Sequence, residues 1–290
     1  MVLMQVIDNK SLLSSEIASL KKSGLKVGFV PTMGALHQGH LKLVEKAKQE
    51  TDRIVVSIFV NPTQFNNPDD LKNYPRTMDA DLRKLEQVGA DLVFAPSVNE
   101  MYPEGQLPPV PDIQLGVLDH VMEASHRPGH FKGVMQVVAN LFRIVQPDAA
   151  YFGEKDFQQL AVIRTMTSQL NLPVEIVPCP TIRESDGLAM SSRNMLLSPT
   201  ERTEAARISK ALFFIRDNWS HHSVEEILLN AKTMIEKNKL MKVEYLTIAD
   251  SVSLQPAGDW YQFPDVRVFT AVKIGAVRLI DNVAIETKGA

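Results

Sequence analysis

Cysteine occurs once in these 290 residues, at Cys179. A single thiol excludes an internal disulfide and a cysteine zinc cage, and it suits a reducing compartment. Long apolar runs are missing too, because no stretch approaches the roughly 20 residues that cross a bilayer. The N-terminal MVLMQVIDNKSLL carries acidic and polar residues where a signal peptide has its apolar run. A soluble, cytoplasmic chain with no membrane partner is therefore expected. Excess positive charge is also absent: the net charge is -3, so no basic field would gather nucleic acid. Any anionic ligand has to be met by local positive charge.

What is present is ordinary for a folded protein, with 44% hydrophobic and 22% charged residues. From Leu25 to about Val177 short β-branched runs alternate with helical patterns, the signature of βαβ units on a parallel sheet. The strand candidates are LKVGFV (25–30), RIVVSIFV (53–60), DLVFAP (91–96), DAAYFG (148–153) and VEIVPC (174–179), several of them apolar on both faces. Helical periodicity is predicted over about Gly39–Gln49 and Met78–Val88, through Val134 to Val145, and after Asp156. The first half thus reads as α/β, a doubly wound, Rossmann-like parallel sheet, assigned to residues 1–184.

After Glu184 a polar connection, SDGLAMSSRN, leads to two helices with start signals. Ser198, Pro199 and Glu201 make a capping box, and Ser223 with Glu226 is expected to repeat it. VEYLTIAD, VRVFTAVKIG and AVRLIDN then read as strands, giving a second, smaller α+β domain over residues 185–290.

Ligands of an open parallel sheet settle beyond the carboxyl ends of its strands, where turns offer backbone N–H groups. PTMGALHQGH (31–40) is such a turn. Its Gly34 and Gly39 have P-loop spacing, but His40 and Leu41 stand where that motif needs Lys and Ser or Thr. His37 and His40 are expected about 60° apart on one face of a first helical turn, with the positive end of the helix dipole beside them. A core role for His40 beside Leu41 and Val44 competes with a phosphate-donor role. The pairing of two histidines after a strand favours the donors.

NPTQF (61–65) leaves the next strand, so Gln64 opens into the same crevice, where an amide can both donate and accept. In FGEKDFQQL (152–160), Asp156 could cap a helix, whereas Lys155 at a helix start is unfavourable unless an anion is there. HRPGHFKG (126–133), its proline and glycine breaking any helical metal pair, reads as a solvated loop taken alone and otherwise as a basic turn near phosphate. MSSRN (190–194), taken alone, reads as part of a flexible connection.

HQGH, NPTQF, GEKDFQQ and DGLAMSSRN, in this order over most of the chain, closely resemble the pantothenate synthetase family, the pantoate–beta-alanine ligases. HxGH alone marks the wider group of nucleotidyltransferases and class I aminoacyl-tRNA synthetases. The resemblance implies ATP-dependent condensation of pantoate with β-alanine through pantoyl adenylate, with Mg²⁺ on the ATP phosphates and a homodimeric enzyme. It implies ATP contacts from Met33, Gly34, Ala35, Leu36, His37, Gln38, Gly39 and His40, from Gly153, Glu154, Lys155 and Asp156, from Ile182, and from Met190, Ser191, Ser192 and Arg193. His40, His37, Lys155 and Arg193 would carry the catalytic charge, and Gln64 and Gln159 would meet pantoate and β-alanine. Asp79 and Asp81 are candidate magnesium contacts, and residues 184–190 a candidate hinge for a closing second domain. The rival is an HxGH nucleotidyltransferase that adenylylates a phosphorylated small molecule.

Overall fold

A computed structural model describes residues 4–286. The chain packs as two compact units. One comprises the residues up to Gln114 together with Arg127–Glu154 and Gln159–Pro180; the other comprises Leu115–His126, Lys155–Gln158 and the chain from Thr181 onward.

The first unit is built on six parallel strands: β1 (Gln5–Ile7), β2 (Val27–Thr32), β3 (Arg53–Ile58), β4 (Leu92–Phe94), β5 (Ala149–Gly153) and β6 (Glu175–Cys179). Their order is β1-β4-β3-β2-β5-β6. From β2 the chain winds outward through β3 and β4, then resumes with β5 on the other side of β2. The two are in register at Gly28↔Ala149 and Phe29↔Ala150. The switch point of the doubly wound sheet therefore lies between β2 and β5. β2 and β3 are buried on both faces, as their apolar runs require.

The helices of this first stretch are α1 (Lys10–Lys22), α2 (Gln38–Glu50), α3 (Pro68–Asn73), α4 (Met78–Val88) and α5 (Val98–Met101). Next come α6 (Met122–His126), α7 (His130–Val145) and α8 (Phe157–Gln169). Val30, Val44, Val56, Leu85, Val93 and Tyr151 belong to one core cluster. Two elements were not legible in the sequence. β1 is three residues long and pairs with β4 from Gln5↔Leu92, too short for any period, while α1 is started by Asn9, whose side chain accepts from Ser11 N and Leu12 N. The helix expected from Val134 begins earlier, at His130, because Gly129 in a left-handed conformation (φ 81°) opens it.

The second unit contains α9 (Pro199–Asn218), α10 (Val224–Glu236) and an antiparallel sheet of β7 (Met241–Asp250), β8 (Val266–Ile274) and β9 (Val277–Ile285). Ile208, Leu212, Ile215, Ile227, Ile235, Val268 and Val272 form its core. The capping box at Ser198 is complete: Ser198 N donates to Glu201 Oε2 at 2.8 Å and Glu201 N to Ser198 Oγ at 3.4 Å. At Ser223 only half of it forms. Glu226 N donates to Ser223 Oγ at 3.2 Å, but the Glu226 carboxylate pairs with His222 Nδ1 at 3.0 Å.

One buried ion-pair cluster and one buried thiol mark these units. In the second, Glu123 on α6 is 6% exposed and takes a two-pronged bond from Arg278 at 2.8 and 2.7 Å, with the Tyr245 hydroxyl donating at 2.8 Å. A bulge in β7 between Val243 and Tyr245 turns Glu244 onto Arg278 Nε at 2.5 Å. In the first, burial pushes the Cys179 thiol up to about 11. Among the described residues no helix is long and apolar enough to cross a membrane.

Arg278→Ala leaves Glu123 buried without its cation, and the expected loss is on the order of 3 kcal/mol of unfolding free energy. Adding Glu123→Gln should recover a large part of it in denaturant titrations. A buried neutral thiol stabilises the fold fully below the unfolded pKa of about 8.5 and loses that contribution as pH rises toward 11. Iodoacetamide at pH 8 should therefore label Cys179 only after denaturant is added, and rapid labelling of the native protein would contradict its burial.

Candidate active site

The turn after β2 is shaped by left-handed backbone at Gly34 (φ 79°) and Ala35 (φ 49°), a conformation glycine adopts freely and alanine does not. Something must hold Ala35 there. Asp81 on α4, fully buried, accepts from Ala35 N and Leu36 N at 2.8 Å each. Its two oxygens also accept from Thr77 Oγ1 at 3.1 Å. Lys84, one turn along α4, donates to Leu36 O at 2.6 Å. Gly34 N donates to Thr32 Oγ1 at 3.1 Å, which itself donates to Ser57 O at 2.7 Å. The turn's amides at 34, 35 and 36 are thus used inside the protein.

The histidines follow a different geometry from the one expected. His37 is not on the helix but caps it, with extended backbone (φ -125°, ψ 174°), and His40 is the third residue of α2. His37 Nδ1 accepts from Gly39 N at 3.1 Å, and His40 Nδ1 accepts from His37 N at 3.3 Å. The rings lie 4.0 Å apart with 34° between their planes. Because each Nδ1 accepts a backbone N–H, the proton of each neutral ring sits on Nε2. The cap is therefore built by side chains whose outer nitrogens are donors. Both rings are half-buried and Gln38 is exposed.

Gln64 stands in a 3₁₀ turn (Pro62–Gln64) after β3. Its Nε2 lies 2.9 Å from Met33 Sδ, and its Oε1 accepts from Asn61 Nδ2 at 3.2 Å. The turns after β2 and β3 are thereby joined. Asn61, 1% exposed, is more than a turn opener: its Oδ1 accepts from Thr63 N at 3.3 Å and from the Tyr102 hydroxyl at 2.7 Å. Burial pushes that hydroxyl up to about 12, so it remains a donor.

The stretch read as a basic turn holds Gln64 in place. His130 Nδ1 donates to Gln64 O at 2.8 Å and its Nε2 accepts from Arg127 at 3.1 Å. A Cβ on Gly133 would strike the Thr63 carbonyl, so only glycine lets α7 come this close. Asn61, Tyr102, His130 and Gly133 went unrecognised as site-shaping residues. Asn61 lies in NPTQF and His130 and Gly133 in HRPGHFKG, whereas Tyr102 lies in no stretch singled out in the sequence.

Of the remaining candidates, Gly153, Glu154 and Gln159 belong to the first unit, with Gly153 ending β5 at the switch point. Lys155, Asp156, Ile182, Met190, Ser191, Ser192 and Arg193 belong to the second. Lys155 Nζ lies 3.2 Å from Asp156 Oδ1. Gln158 turns inward, donating to Leu118 O and Val121 O at 3.0 Å each and accepting from Glu123 N at 2.9 Å. Residues 184–190 are folded by internal hydrogen bonds. Glu184 N donates to Leu188 O at 2.8 Å, Met190 N to Ile182 O at 2.9 Å, and Arg183 Nη1 to Gly187 O at 3.1 Å. MSSRN continues as a 3₁₀ turn (Ser192–Leu196) capped by Ser191, which accepts from Arg193 N at 3.3 Å.

A model of the pantoate–beta-alanine ligase family matches residues 5–284. The chain belongs to this family. A pantothenate synthetase of Bacteroides thetaiotaomicron is 50% identical over 280 residues, 97% of this chain and 98% of that one. One of Porphyromonas gingivalis is 46% identical over 283 residues, 98% and 100%. The crystal structure of pantothenate synthetase from Thermus thermophilus matches with a TM-score of 0.90 at 44% identity, covering 97% of this chain and 99% of that one. Pantoate-beta-alanine ligase from Francisella tularensis, complexed with beta-gamma ATP and beta-alanine, matches at 0.81 with 37% identity and 99% coverage of both chains. The enzyme is an ATP-dependent ligase joining pantoate to β-alanine.

Both oxygens of Asp81 are committed to the turn. Among the described residues no group of three or more His, Cys, Asp or Glu side chains could hold a metal ion. Asp81→Asn turns an NH₂ toward one of the two amides and leaves buried donors facing each other. That substitution should cost about 1–3 kcal/mol of stability and weaken ATP binding in calorimetric titration. Unchanged stability and unchanged ATP affinity would contradict the clamp.

Proposed function

We propose that ligation runs in two steps through pantoyl adenylate. A pantoate carboxylate oxygen attacks the α-phosphorus of ATP; the bond from that phosphorus to the β-bridging oxygen breaks, and pyrophosphate leaves with the electron pair. The β-alanine amine then attacks the acyl carbon. AMP departs with the acyl-oxygen bond pair, and the amine proton passes to solvent. Mg²⁺ enters as part of the substrate, bound to the β- and γ-phosphates of ATP.

Transfer of this kind asks the protein for positioning and charge stabilisation, not for a nucleophile, because pantoate supplies its own. The observation that carries the reading is the pair of imidazoles at the end of β2, whose engaged Nδ1 atoms put the proton of each neutral ring on Nε2. His37 and His40 donate to phosphate oxygens, and Lys155 and Arg193 offset the charge that builds there. Met33–Gly39, Gly153–Asp156, Ile182 and Met190–Ser192 are read as the nucleotide contacts. Gln64 meets pantoate and β-alanine, and Gln159 meets pantoate. Fixed amides around Gln64 support this, since a preset side chain loses little freedom on binding. We further read the enzyme as a cytoplasmic homodimer, which equilibrium sedimentation tests by mass.

His40→Ala should keep the fold and slow single-turnover pyrophosphate release by something like 100-fold, as loss of one transition-state donor does. Wild-type release in the folded variant would sink the role. Omitting β-alanine should leave one burst of pyrophosphate without turnover, whereas sustained release without the amine would favour a simple nucleotidyltransferase.

A further inference from the structure

Within the second unit, a side chain of the C-terminal sheet holds the Lys155 backbone. Asn282 on β9, 3% exposed, donates from Nδ2 to Lys155 O at 3.0 Å. The other end of the same amide is also committed, since Asn282 Oδ1 accepts from Arg267 Nη1 at 2.5 Å. With an acceptor on one side and a donor on the other, the amide has one orientation. The Arg267 guanidinium in turn covers the Phe157 ring at 4.0 Å from its centroid, so Asn282 and Arg267 grip the segment two residues apart.

Asn282 is itself fixed from behind. Its N–H donates to Asp281 Oδ1 at 2.7 Å and its carbonyl accepts from Arg183 Nη2 at 3.2 Å. Arg183 and Asp281 are joined by two bonds of 2.7 and 2.9 Å, the Asp281 side chain being 2% exposed. A buried, two-pronged ion pair is a stiff base for a strand residue.

We propose that Asn282 is a positioning residue for Lys155 in adenylate formation. This rests on the reading of Lys155 as a phosphate-facing cation. A lysine ammonium rides on four rotatable bonds; here its hydrogen-bonded contact with Asp156 lies within one dipeptide, and the buried Asp281 beside Asn282 acts on it electrostatically. Part of its direction comes from the backbone. Asn282 supplies it by fixing the 155–156 peptide through its carbonyl, and a displacement of about 1 Å at such a group costs rates on the order of 100-fold.

The test is a double-mutant cycle read by single-turnover pyrophosphate release from ATP and pantoate. Asn282→Asp keeps the size and the acceptor for Arg267 but removes the donor to Lys155. It should slow release roughly 10- to 100-fold, leave the KM for β-alanine unchanged and slow Lys155→Ala by less than about twofold, because both changes act through one group. A folded Asn282→Asp enzyme with the wild-type rate overturns the proposal. So does a variant that slows Lys155→Ala as much as it slows the wild type. If Asn282→Asp does not fold, Asn282→Ser, too short to reach the carbonyl and without charge, is read by the same criteria. Lys155→Ala at the wild-type rate would instead withdraw the role of Lys155 itself, which separates the two failures.

Discussion

The parallel pairing of β2 with β5 determines what this protein can do. It makes the chain reverse its winding direction beside β2, so the turn bearing the two histidines and the strand ending at Gly153 share one edge of the sheet. Crossover connections in parallel sheets place such turns at the carboxyl edge by geometry. The glutamine turn after β3 joins them through the contact of Gln64 with Met33. No catalytic argument is needed to bring these residues together.

What the pairing does not decide is which groups face a ligand, and there the buried carboxylate of Asp81 has the larger effect. A helix start near a glycine turn ordinarily offers backbone amides to an anion. Here the carboxylate takes two of those amides and Thr32 takes a third. The imidazoles cap the helix in their place. Side-chain donors stand further from the backbone than amides do and can exchange protons.

The sheet is legible because buried parallel strands write themselves as short, largely apolar runs, and IVVSI and VGFV are such runs. β1 was not legible, since three edge residues carry no period. The histidines were found by spacing, but their geometry was misjudged. A helical wheel cannot register that His37 stands outside the helix as its cap. Asp81 looked like a metal ligand because acidity is visible in a sequence and hydrogen-bond partners are not. Asn61 lies within NPTQF and Tyr102 and His130 lie in none of the four motifs, and the roles of all three arise from contacts 41 to 72 residues apart. MSSRN reads as a flexible connection in the sequence because its polar composition hides the bonds that fold it into a capped turn.

The two-step chemistry makes a statement about atoms that residue substitution cannot reach. If pantoate attacks the α-phosphorus, one of its carboxylate oxygens stays on AMP when β-alanine displaces the nucleotide. Turnover of carboxyl-¹⁸O-labelled pantoate, followed by mass spectrometry of the products, reads this directly. The account predicts AMP carrying one labelled oxygen and pyrophosphate carrying none. Label in neither AMP nor pyrophosphate, or label in pyrophosphate, would contradict an acyl-adenylate route.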